Sequence, residues 1–337
     1  MPEGNDTART LLSELEAGLV EELMAPPPAA PPRRNTMVAR VQHIAFAALL
    51  VALVLVLASP ALAGKRKPVV PAVPVTAVAP PTPTPTPAAL ALLDAAIADG
   101  RLDDARQMLA PMWSSGAPEV MLRNAELALA SGSLPEAAEG FSGLVDGPLA
   151  AAARQGLGIT RFRQGRAVEA RAELEQAVAL DATQARAWNA LGVMADKARD
   201  WPAADAAYAR AIAAAPGDAR MIANRGWSML LRGHPVAAEQ DLARALAMAP
   251  GLAQARTNLA LARAMQGRYE DAFRLSDKKT LATDLNTVGY AAMMRGDLAV
   301  AEAYLNRALS LNPQFDRAAW ANLQYLATLK SAAQQQK

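Results

Sequence analysis

The residues that could do chemistry are few and scattered along this chain. Two histidines occur, His43 and His234, and neither stands in a cluster of potential metal ligands or acid–base partners. Cysteine is absent, which excludes disulfides, thiolate metal sites and cysteine nucleophiles. Catalysis and metal binding need several convergent groups. The sequence therefore predicts a protein that is not an enzyme, with no catalytic residues, no metal and no cofactor.

Three short motifs resemble reactive sites but have ordinary structural interpretations. The stretch "GLGITR" at 156–161 has two glycines at the spacing of a nucleotide-binding loop, but a third is missing and the stretch lies inside a predicted helix. Ser276 and Lys279 have the spacing of a serine–lysine pair, but they stand alone and indicate a solvated turn. Asp103 and Asp104 begin a helix, where the helix dipole favours negative charge.

Composition indicates a helical protein without the charge of a nucleic-acid binder. Of the 337 residues, 52% are hydrophobic and only 4% are aromatic, because much of the apolar content is alanine. Alanine is the strongest helix former, and its small side chain lets helices pack closely. The formal net charge is +2, so no strong field marks a nucleic-acid partner.

An apolar segment near the N-terminus predicts a membrane span. No formal charge lies between Val41 and Gly64. A spanning helix needs about 20 mostly apolar residues, so we expect a single transmembrane helix within residues 37–64. A second interpretation stays open, because Ala61 and Ala63 form the small-residue pattern of a signal-peptidase site and cleavage at Ala63–Gly64 would release the chain.

The residues before this segment favour a retained anchor. Residues 1–36 contain a stretch at 7–24 that places Leu11, Leu15, Leu19 and Leu23 on one stripe, with the carboxylates mostly elsewhere. This pattern predicts an amphipathic helix that ends at a proline-rich stretch. We expect it to offer a second partner its leucine stripe.

The orientation of the span follows from what comes after it. Three basic residues lie near each side, so charge alone decides nothing. Residues 65–87 carry eight prolines, which predicts an extended, stiff linker. Since such a spacer holds a domain away from the bilayer, we expect a bacterial inner-membrane protein with a cytoplasmic N-terminus and a periplasmic remainder.

Seven similar turns recur along the rest of the chain. They read "GRLDDA", "GSLPEA", "GRAVEA", "RDWPAA", "GHPVAA", "GRYEDA" and "GDLAVA", beginning at residues 100, 132, 165, 199, 233, 267 and 296. Six begin with glycine and all seven end with alanine. Their spacings of 32, 33, 34, 34, 34 and 29 residues indicate a repeated helical hairpin.

The hairpins share a pattern of large and small residues. Counted from Ala185, small residues stand at positions 8, 20 and 27, large ones at positions 4, 7 and 24, and proline at position 32. This pattern resembles the tetratricopeptide repeat family. The resemblance implies stacked hairpins, each of a helix A and a helix B, with the small residues where the two helices touch. The expected fold is an all-α solenoid of about seven hairpins and a capping helix over residues 88–333, before a tail at 334–337.

One unit departs from the pattern. Five residues are missing between Gly267 and Gly296, which corresponds to about 1.4 helical turns. We expect a helix B shortened near residues 276–280 and a local change in the curvature of the superhelix.

The resemblance also implies where a partner binds. In the family, a concave face is lined by positions 2, 5, 6, 9 and 12 of helix A, which we call the groove positions. Asn224 and Asn258 share position 6 of consecutive units, as in an asparagine ladder along an extended ligand; alternatively, asparagine there bonds a neighbouring helix. The candidate peptide-binding residues are Arg186, Asn189, Asp196, Arg220, Asn224, Trp227, Asn258 and Asn286.

These features predict a membrane-anchored scaffold that binds a protein or peptide and assists the assembly of an envelope complex of the pilus or secretion type. Two alternatives stay open. The chain could be a secreted periplasmic chaperone after signal cleavage. It could also be a docking subunit of a cell-envelope enzyme complex, which would need a catalytic cluster that the sequence lacks.

Overall fold

The computed structural model describes residues 85–276, 278–311 and 317–335. The predicted amphipathic helix, the membrane span at 37–64 and most of the linker at 65–87 lie outside the described residues and stay predictions. None of the described helices combines the length and the apolar character that crossing a bilayer requires.

The chain divides into two compact units, which are described separately. The N-terminal unit ends at Ala215 and the C-terminal unit begins at Pro216. The N-terminal unit contains α1 (Pro87–Ala98), α2 (Leu102–Leu109), a 3-10 helix (Ala110–Ser115), α3 (Pro118–Ser131), α4 (Leu134–Ser142), α5 (Ala150–Arg163), α6 (Ala167–Leu180), α7 (Ala185–Lys197) and α8 (Trp201–Ala214).

The C-terminal unit continues the same alternation of helices. It contains α9 (Ala219–Leu231), α10 (Pro235–Met248), α11 (Ala253–Met265), α12 (Tyr269–Ala272), α13 (Leu281–Met294), α14 (Leu298–Leu311) and α15 (Arg317–Gln335). Consecutive helices pair into seven hairpins followed by a single last helix, and the described residues include no strand. The all-α prediction, the number of hairpins and the last helix are confirmed.

Four of the seven hairpins are closed by a glycine of helix A that lies under a large side chain of helix B. A Cβ at Gly192 would lie 2.9 Å from the Tyr208 ring, and one at Gly158 would lie 2.6 Å from Leu174 Cγ. Real Cβ atoms keep a greater distance, so only glycine allows this approach. These residues are positions 8 and 24, and the same pairing recurs at Gly226–Leu242 and Gly289–Leu305.

Alanine makes the remaining close contacts between helices A and B. The alanines at positions 20 and 27 are completely buried in the units with a full-length helix B: Ala170, Ala204, Ala238 and Ala301, and Ala177, Ala211, Ala245 and Ala308. A larger side chain there would overfill a core at native density. The predicted packing role of these small residues is confirmed.

The turn between helices A and B requires a left-handed residue. Glycine has a φ between +72° and +84° at all six predicted turns where it stands, from Gly100 to Gly296. In the remaining turn Arg199 adopts a φ of +55°. A non-glycine residue is disfavoured in this region because its Cβ crowds the following carbonyl oxygen. Arg199 therefore holds a strained conformation that glycine would adopt freely.

Arginines at the end of helix A join two of the hairpins to the one before. Arg163 Nη1 donates to Leu129 O at 2.6 Å, and Arg295 Nη1 donates to Met265 O at 2.9 Å. Both carbonyls lie in the last turn of the preceding helix A, where carbonyl groups lack the usual helical N–H partner four residues on. The bonds between these repeats thus use acceptors that the end of a helix leaves available.

The unit with five missing residues has a helix B of only four residues, α12. The predicted shortening is confirmed, although the helix ends at Ala272, earlier than the sequence indicated. Position 24 falls on Ser276, which donates to Asp284 Oδ2 at 2.6 Å instead of filling a core. Because no large side chain presses on helix A there, position 8 holds Ala260 in place of glycine. The predicted change in curvature stays a prediction.

Aromatic rings occupy the space that the missing turns leave. The Phe273 and Tyr304 ring centroids are 5.3 Å apart, and those of Tyr269 and Tyr304 are 6.1 Å apart. Desolvation, together with a hydrogen bond to Asp297, raises the pKa of Tyr269 to about 12. Tyr269 is therefore a neutral donor at physiological pH.

Replacing Arg199 by glycine tests the strain in the exceptional turn. We expect Arg199→Gly to raise the free energy of unfolding by up to about 1 kcal/mol, because the left-handed conformation costs about 1–2 kcal/mol for a residue with a Cβ. The matched control is Gly165→Ala, at a φ of +80°, which should lower stability by a similar amount. Chemical denaturation measures both. A destabilised Arg199→Gly variant would contradict this explanation.

Candidate functional site

In the N-terminal unit, the predicted groove residues are engaged with other side chains. Arg186 Nη1 donates to both carboxylate oxygens of Glu126, at 2.9 and 3.0 Å. Asp196 is buried and accepts a hydrogen bond of 2.7 Å from the Tyr208 hydroxyl. Asn189 is buried as well. Arg186 is thus the one of the three predicted residues in this unit that reaches the surface.

A hydrogen bond beneath Arg186 ties its helix to the preceding helix A. Gln155 is buried and its Oε1 accepts from the backbone N–H of Ala187 at 2.9 Å. Farther along the same two helices, the Lys197 ammonium lies 4.7 Å from the centre of the Phe162 ring. Desolvation there lowers the pKa of Lys197. The groove of this unit therefore combines charged side chains with a layer of packed, buried side chains.

In the C-terminal unit, the predicted arginine stabilises its own helix. Arg220 Nη2 lies 2.7 Å from Asp218 Oδ2, and Asp218 also accepts from the Arg220 backbone N–H at the start of α9. The side-chain hydrogen bond to Asp218 raises the pKa of Arg220. Asn224 is half-buried, one turn farther along the helix.

Asparagines at the groove positions of the C-terminal unit make two kinds of bond. Asn258 is 3% exposed, and its Oδ1 accepts from Gln254 Nε2 at 3.1 Å within the same helix. Asn286 Oδ1 accepts from Asn322 Nδ2 at 2.9 Å, which joins α13 to α15. Asn322 is at position 6 of the last helix, so an asparagine pair links consecutive helices A. This pair joins position 5 of one helix A to position 6 of the next, and the expected ladder through Asn224 and Asn258 stays a prediction.

Several buried polar atoms at these positions have no hydrogen-bond partner among the described residues. They are Trp227 Nε1, Tyr290 Oη and Asn322 Oδ1. Trp227 and Tyr290 both occupy position 9 of a helix A. Burial raises the pKa of Tyr290, so its hydroxyl is neutral and keeps its proton. An unpaired buried polar group lowers stability by about 1–3 kcal/mol. A hydrogen-bond partner from outside the unit would therefore stabilise these atoms.

Asn286, Tyr290 and Asn322 lie within reach of one another. Asn286 and Tyr290 are four residues apart on α13 and therefore share a face of the helix. The bond from Asn322 brings α15 to that face. The arrangement offers donors and acceptors without formal charge, which suits the amide groups of a polypeptide backbone.

The motifs that resembled reactive sites have structural roles in the described residues. Gly156 and Gly158 lie inside α5, where a Cβ would meet the Phe141 ring at 2.3 Å and Leu174 at 2.6 Å. Asp103 and Asp104 lie in the first turn of α2, as predicted. His234 is exposed and precedes α10. No group of three or more His, Asp or Glu that could hold a metal occurs in the described part of the chain.

Sequence reasoning missed three residues that shape the site. Tyr290 and Glu126 are at groove position 9, and Asn322 is at position 6 of the last helix. Tyr290 follows from the repeat numbering of the seventh unit, and Asn322 follows from extending that numbering into the last helix, which the sequence alone predicts as a cap. Glu126 lies in a unit whose motifs are weak, so the repeat numbering alone does not single it out.

Comparison with known proteins supports the tetratricopeptide repeat. Residues 122–185, 156–219 and 225–280 match the tetratricopeptide repeat family model. Tetratricopeptide repeats are typically non-enzymatic scaffolds that bind protein or peptide partners, and no catalytic family is indicated. A comparison with curated proteins gives no match.

A solved structure with a TM-score above 0.5 supports this fold at low sequence identity. The Cut9–Hcn1 hetero-tetramer of the APC/C is 15% identical with a TM-score of 0.55, and the match covers 71% of this chain and 49% of that chain. This chain thus spans about half the length of that relative. A tetratricopeptide repeat protein from Parabacteroides merdae ATCC 43184 is 13% identical (TM-score 0.45; 71% and 98% covered). Pseudomonas aeruginosa pilF is 16% identical (TM-score 0.48; 63% and 97% covered).

Proposed function

We propose that this chain is a membrane-anchored, non-enzymatic scaffold that binds an extended polypeptide along the groove positions of helix A. The observation that carries the proposal is the set of buried, unpaired polar atoms in the C-terminal unit: Trp227 Nε1, Tyr290 Oη and Asn322 Oδ1. The unbound protein pays for their desolvation without a hydrogen bond in return. A polypeptide that displaces the side chains over these atoms and supplies those bonds recovers the cost on binding.

An extended backbone fits these groups better than a charged ligand does. Every residue of a peptide other than proline brings one donor and one acceptor. Tyr290 Oη can donate to a peptide carbonyl, and Asn322 Oδ1 can accept from a peptide N–H. Arg220, the cation at these positions, is held by Asp218. The C-terminal unit therefore favours recognition of the backbone over recognition of a terminal carboxylate.

The location that we propose rests on the sequence before the described residues. The charge-free segment at 41–64 supports a single membrane span, and the proline-rich linker supports a domain held away from the bilayer. We place the repeats in the periplasm of a bacterium, where the scaffold would assist assembly of an envelope complex of the pilus or secretion type. A chaperone released by cleavage at Ala63–Gly64, or a docking subunit of an envelope enzyme complex, would use the same groove.

Substituting Tyr290 by phenylalanine tests the proposed binding surface. The full chain is crosslinked in membranes, and the adducts of the wild type are identified and quantified by mass spectrometry. We expect Tyr290→Phe to reduce those adducts about three- to tenfold, because one hydrogen bond is worth about 0.5–1.5 kcal/mol. The same variant should unfold at a higher temperature, because it removes an unpaired buried hydroxyl.

Tyr208→Phe is the matched control. Its hydroxyl donates to buried Asp196 at 2.7 Å, so its loss should lower stability by about 1–3 kcal/mol. Adducts of the folded variant should stay at the wild-type level. Unchanged adducts in Tyr290→Phe would contradict the proposed surface.

The orientation has a separate test. A reporter enzyme that is active only in the cytoplasm, fused after Lys337, should be inactive, and one that is active only in the periplasm should be active. The reverse result would contradict the proposed location. Sequencing the N-terminus of the mature protein separates the anchor from the cleaved form, since cleavage at Ala63–Gly64 would expose Gly64.

A further inference from the structure

An ion pair in the N-terminal unit joins two helices that are not neighbours in the chain of repeats. Glu126 lies on α3 and Arg186 on α7, 60 residues apart. Helix α5, the helix A between them, packs against both. The two side chains therefore meet across α5, at groove positions 9 and 2.

The hydrogen bonds of this pair have a weaker arrangement than the one that an arginine and a carboxylate can form. A single nitrogen, Arg186 Nη1, faces both oxygens of Glu126. By contrast, Arg225 in the other unit uses two nitrogens, with Nε and Nη2 each 2.7 Å from an oxygen of Asp241. The two-nitrogen fork is the stronger arrangement, because both N–H groups align with carboxylate lone pairs. Glu126 could thus bind a second guanidinium better than it binds Arg186.

The exposure of the two partners decides which one can leave. The Arg186 side chain is 40% exposed and that of Glu126 is 19% exposed. On separation, Arg186 can turn into water, whereas Glu126 would keep a partly desolvated negative charge. Replacement of the cation therefore costs less than replacement of the anion. A partly exposed pair of this kind contributes little to stability, so exchange of its cation costs little free energy.

The neighbouring charges leave Glu126 as the exchangeable site. On α3, Arg123 at groove position 6 is held by Asp94 at 2.7 Å. On α7, Asp196 is buried under the Tyr208 hydroxyl, and Lys197 lies over the Phe162 ring. In Glu126, an incoming cation thus meets a carboxylate whose present partner reaches the solvent.

We propose that Glu126 is the receptor for an arginine side chain of the bound polypeptide, and that Arg186 occupies it as an internal substitute until the partner arrives. The inference rests on the proposed function and adds to it a charged anchor in the N-terminal unit. Arginine is the expected residue, because its planar guanidinium makes the two-nitrogen fork and is less strongly hydrated than the lysine ammonium.

The test uses three labelled peptides and the full chain in detergent. The peptides are nonapeptides of alanine and serine that differ only at the central residue, which is arginine, citrulline or glutamate. Citrulline keeps the shape of arginine and lacks its charge. Fluorescence anisotropy gives the affinity of each peptide for the wild type, Arg186→Ala, Arg186→Gln and Glu126→Gln, and thermal unfolding confirms that each variant is folded.

We expect both Arg186 variants to bind the arginine peptide about two- to fivefold more tightly than the wild type. They remove the Arg186 cation that competes for Glu126, and the gain is small because a partly exposed ion pair is weak. Their affinity for the citrulline peptide should not change, and the glutamate peptide should bind no more tightly than it binds the wild type. Glu126→Gln should lose the preference for arginine over citrulline. As a control, Asp241→Asn breaks the forked pair, so it should lower the melting temperature and leave the arginine preference intact.

Three results would overturn the proposal. The first is an arginine peptide that binds the Arg186 variants no more tightly than it binds the wild type, including no binding at all. The second is a Glu126→Gln variant that retains the preference for arginine. The third is equal binding of all three peptides by the wild type, which would contradict this anchor but not peptide binding itself. The amount of crosslinked adduct in the Tyr290→Phe variant tests the proposed function independently.

Discussion

The fold depends on how closely the two helices of each hairpin approach. In four of the seven hairpins a large side chain on helix B lies where a Cβ on helix A would be, so the position must be glycine. At Gly192 and Gly226 the missing Cβ would lie 2.9 Å from the nearest atom of the partner side chain. Glycine in a helix interior costs about 1 kcal/mol relative to alanine. The burial of a whole leucine or tyrosine side chain offsets this cost, because such burial contributes about 1.5–3 kcal/mol.

The same constraint explains why the unit with the short helix B has no glycine at position 8. Where helix B is cut to Tyr269–Ala272, no large residue reaches helix A, and alanine replaces glycine at Ala260. Rings from Phe273 and Tyr304 pack nearby. The rule and its exception thus have one physical origin, which is the volume that helix B brings to the contact.

Most of the fold could be predicted from the sequence because it is local and repeated. The glycine turns, the buried alanines and the short unit all follow from residue type at a fixed spacing. The length of α12 could not be predicted, since spacing shows how many residues are missing and not where the helix ends. The strained turn at Arg199 follows from its place in the series, where six other turns have glycine.

The candidate site could be predicted only in part. Repeat numbering identifies which residues share a face, but it does not show which of their polar groups already have a hydrogen-bond partner within the protein. Arg220 bonds to Asp218 and Asn258 to Gln254, within their own helix and its cap, so both carry less of the binding than their positions indicate. Glu126 and Arg186 meet across an intervening helix, a contact that depends on how three repeats pack together. Unpaired atoms such as Tyr290 Oη become evident only once the core around them is assembled.

The most direct test of the account is a double-mutant cycle at Gly226 and Leu242, measured by chemical denaturation. Helix propensity alone predicts that Gly226→Ala stabilises the protein by about 1 kcal/mol. Close packing predicts the opposite sign, a loss of about 1–3 kcal/mol, because a Cβ would lie 2.9 Å from Leu242 Cγ. In a Leu242→Ala background that loss should disappear, with a coupling energy of about 1 kcal/mol or more. A stabilising Gly226→Ala, or additive effects of the two substitutions, would contradict the account.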